Sequence, residues 1–126
     1  MIKQLSKKVI NETNRGKLIV YEFNNQLNIK RLFNIYGKKN EVRGNHAHKK
    51  TTQIFICIKG EIEIKIESKK YLKKYLLNEN SKPLLVKPLN WVEIRFKSKG
   101  ILSILADKKY IKKDYINNKN DFLKFK

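Results

Sequence analysis

The sequence predicts an all-β protein: two antiparallel sheets packed as a jelly roll, with a short helical or irregular C-terminal tail. Three observations carry this. Ile62, Ile64 and Ile66 alternate with Glu61, Glu63, Lys65 and Glu67, the period of a strand with one buried and one wet face. Short apolar runs then recur along the chain, separated by turn residues at Asn24-Asn25, Gly37, Asn78 to Ser81 and Lys99-Gly100, as in a sandwich or barrel. Finally, 40% hydrophobic residues, including six Phe, six Tyr and one Trp, are enough to fill a core. With five Gly, two Pro and no linker-like stretch, residues 1–126 are expected to form a single domain.

Taken in order, residues 18–21 and 29–36 are the first two strand candidates. His46 and His48 lie two apart, so on a strand they project to the same face. Residues 53–58 are apolar at both parities, as in an inner strand covered on each side, and Lys59-Gly60 after them suggests a tight hairpin turn. Residues 71–77, 84–86, 91–96 and 101–106 complete the strands. In the tail, residues 108–125, the rings of Tyr110, Tyr115, Phe122 and Phe125 are expected to pack back onto the barrel.

A net charge of +19 invites a nucleic-acid partner. The composition argues against it. Of 30 basic residues only Arg15, Arg31, Arg43 and Arg95 are arginine, the residue suited to bidentate base and phosphate contacts. The excess is also spread evenly, +8 in residues 1–63 and +11 in 64–126. A general positive field suits an anionic small molecule better. Cys57 is alone in an apolar run, a buried structural thiol compatible with a reducing cytoplasm. The first residues are charged with no apolar segment behind them, and no run approaches membrane-spanning length. A cytoplasmic protein with no membrane and no nucleic-acid partner is expected.

His46 and His48 are the only histidines, and imidazole is the side chain that titrates near neutral pH. From His48 the spacing runs four residues to Gln53 and six more to Gly60. This resembles the first motif of the cupin superfamily, whose metal-binding members use the two histidines and a Glu at the third position. Here that position is Gln53, a poor ligand for a divalent cation. The second motif would fall near residues 88–93, where Glu93 is the single further candidate. Neither a metal nor another cofactor is expected.

The run Arg43-Gly44-Asn45-His46-Ala47-His48-Lys49 resembles the RGxHAHK signature of cupin-fold sugar 3,4-ketoisomerases. Arg15-Gly16-Lys17-Leu18, the segment from Ile29 to Tyr36, Trp91 and Asp114-Tyr115-Ile116 also match in order and spacing. The resemblance implies conversion of dTDP-4-keto-6-deoxy-D-glucose to a dTDP-3-keto-6-deoxyhexose, supplying 3-amino-3,6-dideoxy sugars for surface polysaccharide. It implies His48 as the base at C-3, with His46 and Tyr36 holding the substrate oxygens or relaying the proton. Arg15, Arg31 and Arg43 are the candidates for the diphosphate, with Lys49 and Gln53 beside them. Arg43 has a competing use in an ion pair with Glu41 or Glu12, Tyr36 as a barrel-lining aromatic, and Trp91 is either core or a wall of the sugar pocket. Two positions depart from the family pattern: Asn34 stands where members often carry Tyr, and Val92 where many carry His. The resemblance also implies a homodimer that exchanges N-terminal strands. Asn14-Arg15 is the expected determinant of product configuration, with Arg15 favouring gluco. Two other readings fit the same residues, a nucleotide-sugar 3,5-epimerase and a non-catalytic sugar-nucleotide-binding cupin.

Overall fold

The computed structural model describes residues 2–5, 8–14, 16–23 and 27–125, with residues 8–12 described by backbone alone. The strands are β1 (Ile2–Gln4), β2 (Lys8–Thr13), β3 (Gly16–Val20), β4 (Arg31–Gly37), β5 (Val42–His48) and β6 (Gln53–Lys59). They continue as β7 (Ile62–Glu67), β8 (Leu72–Leu77), β9 (Leu84–Val86), β10 (Trp91–Phe96), β11 (Gly100–Ala106) and β12 (Tyr115–Ile116), before helix α1 (Lys119–Lys124). One five-stranded sheet runs β1-β9-β6-β11-β4, the other β12-β5-β10-β7-β8, and β2-β3 form a separate ribbon. This is the expected jelly roll.

The alternation in β7 explains how the sheets meet. Ile62, Ile64 and Ile66 are fully buried and stand opposite Phe96, Ile94 and Val92 of β10. These six side chains join Phe55, Leu84, Leu102 and Ile104 of the facing sheet in one core cluster. On the outer face of the same pair, Lys65 lies opposite Glu93 and Glu63 opposite Arg95, a register with opposite charges side by side.

Strand β6 is buried on both faces, as its composition predicts. Phe55 and Cys57 join the inter-sheet core, and the Cys57 thiol donates to the carbonyls of Lys59 and Gly60. Ile54 and Ile56 pack outward with Leu5, Leu85 and Leu105, under Tyr21, Phe23 and Leu27. That outer cover comes from the same chain.

The Lys59-Gly60 hairpin is not formed. β6 pairs with β9 and β11, whereas β7 pairs with β8 and β10, so the turn carries the chain from one sheet to the other. Gly60 has φ +86°, and a Cβ there would stand 2.5 Å from the Lys99 carbonyl oxygen. A glycine before a new strand marks a sharp corner equally well, and local pattern does not distinguish the two. Sequence reasoning missed β1, β2 and the short β12, and the Asn24-Asn25 turn falls outside the described residues. In the tail, Asn118 caps α1 by accepting from the backbone N–H groups of Asn120 and Asp121. Phe122 is buried against Trp91, ring centroids 5.7 Å apart, while Tyr110 stays largely exposed.

Ile64 sits at the centre of the buried row, so Ile64→Ala should cost about 2–5 kcal/mol. Urea unfolding measures it, and an unchanged midpoint would show that the row does not hold the sheets together.

Candidate active site

The site begins with an irregularity in β5. Val92 of β10 is paired with His46, and the next residue, Glu93, with Gly44, so Asn45 is an extra residue and the register shifts. Gly44 and Asn45 both take positive φ, +90° and +58°, the conformations that glycine and asparagine tolerate best. A Cβ on Gly44 would lie 2.7 Å from the Val92 carbonyl oxygen. The bulge has a consequence for side-chain direction. On a regular strand Arg43 and His46 would face opposite sides. Here Arg43 stands opposite Ile94, and His46 opposite Val92, and both line one cavity.

That cavity, of about 160 Å³, is walled by Phe33 and Ile35 of β4, Gln53 and Phe55 of β6, Val92 and Ile94 of β10, Ile104 of β11 and Tyr115 of β12. Arg43, Gly44 and His46 close it on the β5 side. His46 Nδ1 lies 3.2 Å from the Gly44 carbonyl oxygen, which this nitrogen reaches as a donor in the neutral ring. His48 lies one ring deeper, its centroid 5.3 Å from that of His46 and 4.4 Å from that of Tyr115.

His48 is held from the tail. Its Nδ1 is 2.8 Å from Oδ2 of Asp114, which also accepts from the Thr51 hydroxyl, while Oδ1 accepts from the Lys50 N–H at 2.7 Å. Burial pushes the Asp114 carboxyl up, but the bonds from Thr51, His48 and Lys50 outweigh it and hold it below the ordinary range. A carboxylate facing Nδ1 fixes the proton there and leaves the lone pair on Nε2. That Nε2 is buried and has no protein partner.

Arg31 completes the centre. Its guanidinium lies over the rings of Phe33 (5.2 Å) and Tyr110 (5.9 Å), and Nη1 donates to the Tyr115 hydroxyl at 3.4 Å. Its Nε is buried without a partner. Among the described residues, Arg31 Nε and His48 Nε2 are the buried side-chain nitrogens and oxygens lacking a hydrogen bond, and both belong to this site. Burial lowers the pKa of both histidines, and the Arg31 charge lowers them further; His48 also opposes protonation of His46, while Asp114 pulls His48 back up. Both imidazoles are therefore neutral at pH 7.

The structure thus brings together His46, His48, Arg31, Arg43 and Gln53. Three other candidates are not with them. Tyr36 shares the outer parity of β4 with Leu32 and Asn34 and is 70% exposed. Lys49 follows His48, so it faces the other side of β5, with its ammonium over the Phe125 ring. Trp91 precedes the cavity-lining Val92 and is buried on the outer face with Ala47, Ile116 and Phe122. Arg15 lies outside the described residues. Arg43, half exposed, also pairs with Glu41 at 3.5 Å. Of the two departures, Val92 faces the cavity, whereas Asn34 faces outward and accepts from Ser103. Sequence reasoning gave Asp114 no role and Tyr115 only one in packing the tail; they stand 66 and 67 positions beyond His48. Their one signal was the match of Asp114-Tyr115-Ile116 to the family pattern.

A metal does not fit these donors. His48 Nδ1 is committed to Asp114, Glu93 faces outward within 3.9 Å of Lys65, and Gln53 offers an amide. Among the described residues no group of three or more His, Cys, Asp and Glu is placed to hold one.

Fold and site together define a cupin-type jelly roll with a histidine-lined cavity. A family model described as "FdtA: WxcM-like, C-terminal" matches residues 2–126. A TDP-4-oxo-6-deoxy-alpha-D-glucose-3,4-oxoisomerase from Aneurinibacillus thermoaerophilus is 32% identical over 123 residues, 94% of this chain and 87% of that one. A 3,4-ketoisomerase from Helicobacter canadensis superposes with a TM-score of 0.87 at 34% identity, covering 98% and 95% of the two chains. A sugar 3,4-ketoisomerase from Thermoanaerobacterium thermosaccharolyticum, solved in complex with TDP, gives 0.87 at 30% identity, covering 98% and 92%. The chain belongs to the FdtA, WxcM-like family.

Two outcomes follow from the geometry. Gly44→Ala should destabilise by on the order of 1–3 kcal/mol through backbone strain, and an unchanged urea midpoint would show that the bulge accepts a side chain. Stability should also fall as pH drops below about 6.5, the ordinary imidazole value, because the unfolded chain takes up protons before the folded one. Asp114, lowered in the folded state, adds a loss of the same sign at more acid pH. Unfolding free energies that stay level from neutral pH into the acid range would contradict the depressed values.

Proposed function

We propose that this protein is a sugar-nucleotide 3,4-ketoisomerase converting dTDP-4-keto-6-deoxy-D-glucose to a dTDP-3-keto-6-deoxyhexose. The observation that carries this is that two unpartnered buried polar atoms, the Nε2 of a carboxylate-backed histidine and the Nε of an arginine, belong to side chains that both contact Tyr115 of the cavity wall. A buried polar atom without a partner costs about 1–3 kcal/mol, so its place at this one site points to use. The family membership and the oxoisomerase relative support the same reaction class.

The chemistry matches the residues. A ketone at C-4 acidifies the hydrogen on C-3, and a neutral imidazole with a free Nε2 is suited to take it. His48 is that base: Asp114 orients its ring and stabilises the imidazolium that forms, as a carboxylate does behind a catalytic histidine. His46, on the cavity wall, faces the substrate oxygens. Arg31 supplies positive charge next to the enediolate, in a site walled largely by apolar side chains where such a contact is strong. The cavity is smaller than the roughly 300–1,000 Å³ of typical ligand pockets. It suits the sugar ring, with the diphosphate and nucleoside at the lip, where half-exposed Arg43 stands.

This reading includes a cytoplasmic homodimer that feeds amino-sugar synthesis for surface polysaccharide. The β2-β3 ribbon pairs with neither large sheet, and the outer face of β4 leaves Leu32 and Tyr36 exposed, features that suit strand exchange with a second copy.

Incubation with dTDP-4-keto-6-deoxyglucose in deuterated water, followed by NMR, should show the ketone moving to C-3 with deuterium entering at C-4. His48→Asn should slow this by about 10²–10⁴-fold with the fold retained. Deuterium at C-3 and C-5 with the ketone still at C-4 would mean an epimerase, and an unchanged spectrum would remove the isomerase.

A further inference from the structure

A second cavity is larger than the histidine-lined one, about 450 Å³ against about 160 Å³. Strand parity sets the two back to back. Val92 lines the histidine cavity, and its neighbours Trp91 and Glu93 line the second. Trp91 stands opposite Glu67 of β7, and Glu93 opposite Lys65. Asn45, the extra residue of the bulge, adds to the wall from β5, and Asn117 and Lys119 add to it from the segment around the end of β12 and the start of α1. The two cavities share no lining residue.

The chemistry of this wall is unlike the rest of the surface. The chain carries a net charge of +19, yet the charged side chains here are two ammoniums, Lys65 and Lys119, and two carboxylates, Glu67 and Glu93, which cancel. Each carboxylate already has its cation: Glu67 is 2.8 Å from Lys119, and Glu93 is 3.9 Å from Lys65. An anion entering the cavity meets the carboxylates, and a cation meets the ammoniums. A zwitterion gains only by separating both pairs. A hydroxyl group accepts from an ammonium N–H and donates to a carboxylate oxygen while the pair stays together.

We propose that this cavity is a binding site for a neutral sugar, one hexose ring presented as a glycoside, separate from the histidine-lined cavity. Asn45 and Asn117, both exposed, bring carboxamides that donate and accept as hydroxyls do. Trp91, packed against Phe122, gives the apolar wall that the C–H groups of a sugar ring require. The volume falls in the roughly 300–1,000 Å³ range of small-molecule pockets, which combine such a wall with a few convergent polar groups. The outer face of β7, whose Glu and Lys residues the ketoisomerase reading leaves without a task, supplies two of those groups.

Trp91 is the only tryptophan of the chain, so its indole fluorescence and N–H resonance report on this cavity directly. The probes are the methyl glycosides of glucose, galactose and N-acetylglucosamine, with inorganic phosphate and glycine as the anionic and zwitterionic alternatives. At least one glycoside should shift the indole signal saturably and bind more tightly than phosphate or glycine. Glu67→Gln, which keeps the shape of the side chain and removes its charge, should weaken that glycoside by about tenfold or more. Asn117→Ala, at an exposed position that the fold does not depend on, should weaken it by about two- to tenfold. Arg43→Ala, in the other cavity, should leave it unchanged. The absence of a saturable shift with every glycoside would overturn the proposal, as would tighter binding of phosphate or glycine. A glycoside shift that Arg43→Ala weakens, or that either Glu67→Gln or Asn117→Ala leaves intact, would put the sugar elsewhere and overturn it equally.

Discussion

The inner face of the second sheet is a set of continuous cross-strand rows, and the core and the site are different stretches of them. Ile66 stands beside Val92 and Val92 beside His46; one row along, Ile64 stands beside Ile94 and Ile94 beside Arg43. Where β7 and β10 face the other sheet these positions are apolar and dry. Where the rows reach β5, near the sheet edge, they become the imidazole and guanidinium of the cavity. The packing that holds the sandwich shut therefore also positions the polar groups. A slip of one residue in β10 would turn Val92 and Ile94 out of the core and away from these rows.

The rows stay in phase through the bulge at Gly44-Asn45. On a regular strand of the same residues, Arg43 and His46, three positions apart, would share no face, and the cavity would have a histidine and no arginine on its β5 side. Backbone conformations of this kind are held only where the surroundings over-determine them. Here β10 does so, since the Val92 carbonyl leaves no room for a side chain on Gly44.

The site is arranged against stability. Two imidazoles and a guanidinium are gathered in one partly buried space, where Arg31 disfavours protonation of both histidines and His48 that of His46. Asp114 is the counterweight. It opposes the lowering of the His48 pKa by burial and Arg31, is itself saturated by Thr51 and Lys50, and ties the tail to β5 through a second contact, the Lys49 N–H to its carbonyl at 2.8 Å. Removing it would leave the base without its orientation and the tail without its anchor, which is why one carboxylate 66 positions from His48 matters to both.

Much of this was open to inspection along the chain. The isoleucine alternation of β7, the doubly apolar β6 and the shared face of His46 and His48 follow from the two-residue period of a strand, a matter of covalent geometry that neighbours do not alter. Gln53, Arg31 and Arg43, grouped with the histidines from the sequence, lie near them in the fold. Trp91, read as either core or pocket wall, is core; Lys49 was grouped with His48 by adjacency in the motif, but adjacent residues in a strand face apart, so Lys49 turns from His48. Tyr36 fails by the same parity, since Phe33 and Ile35 already occupy the inner face of β4. What no local pattern contained was the sheet-crossing turn at Gly60, the tail strand β12, and with it the placing of Asp114 and Tyr115 on His48. Those depend on which strands pair across long separations. That choice is made only when the two sheets close on their common core, because hydrogen bonds between distant strands have no partner until then.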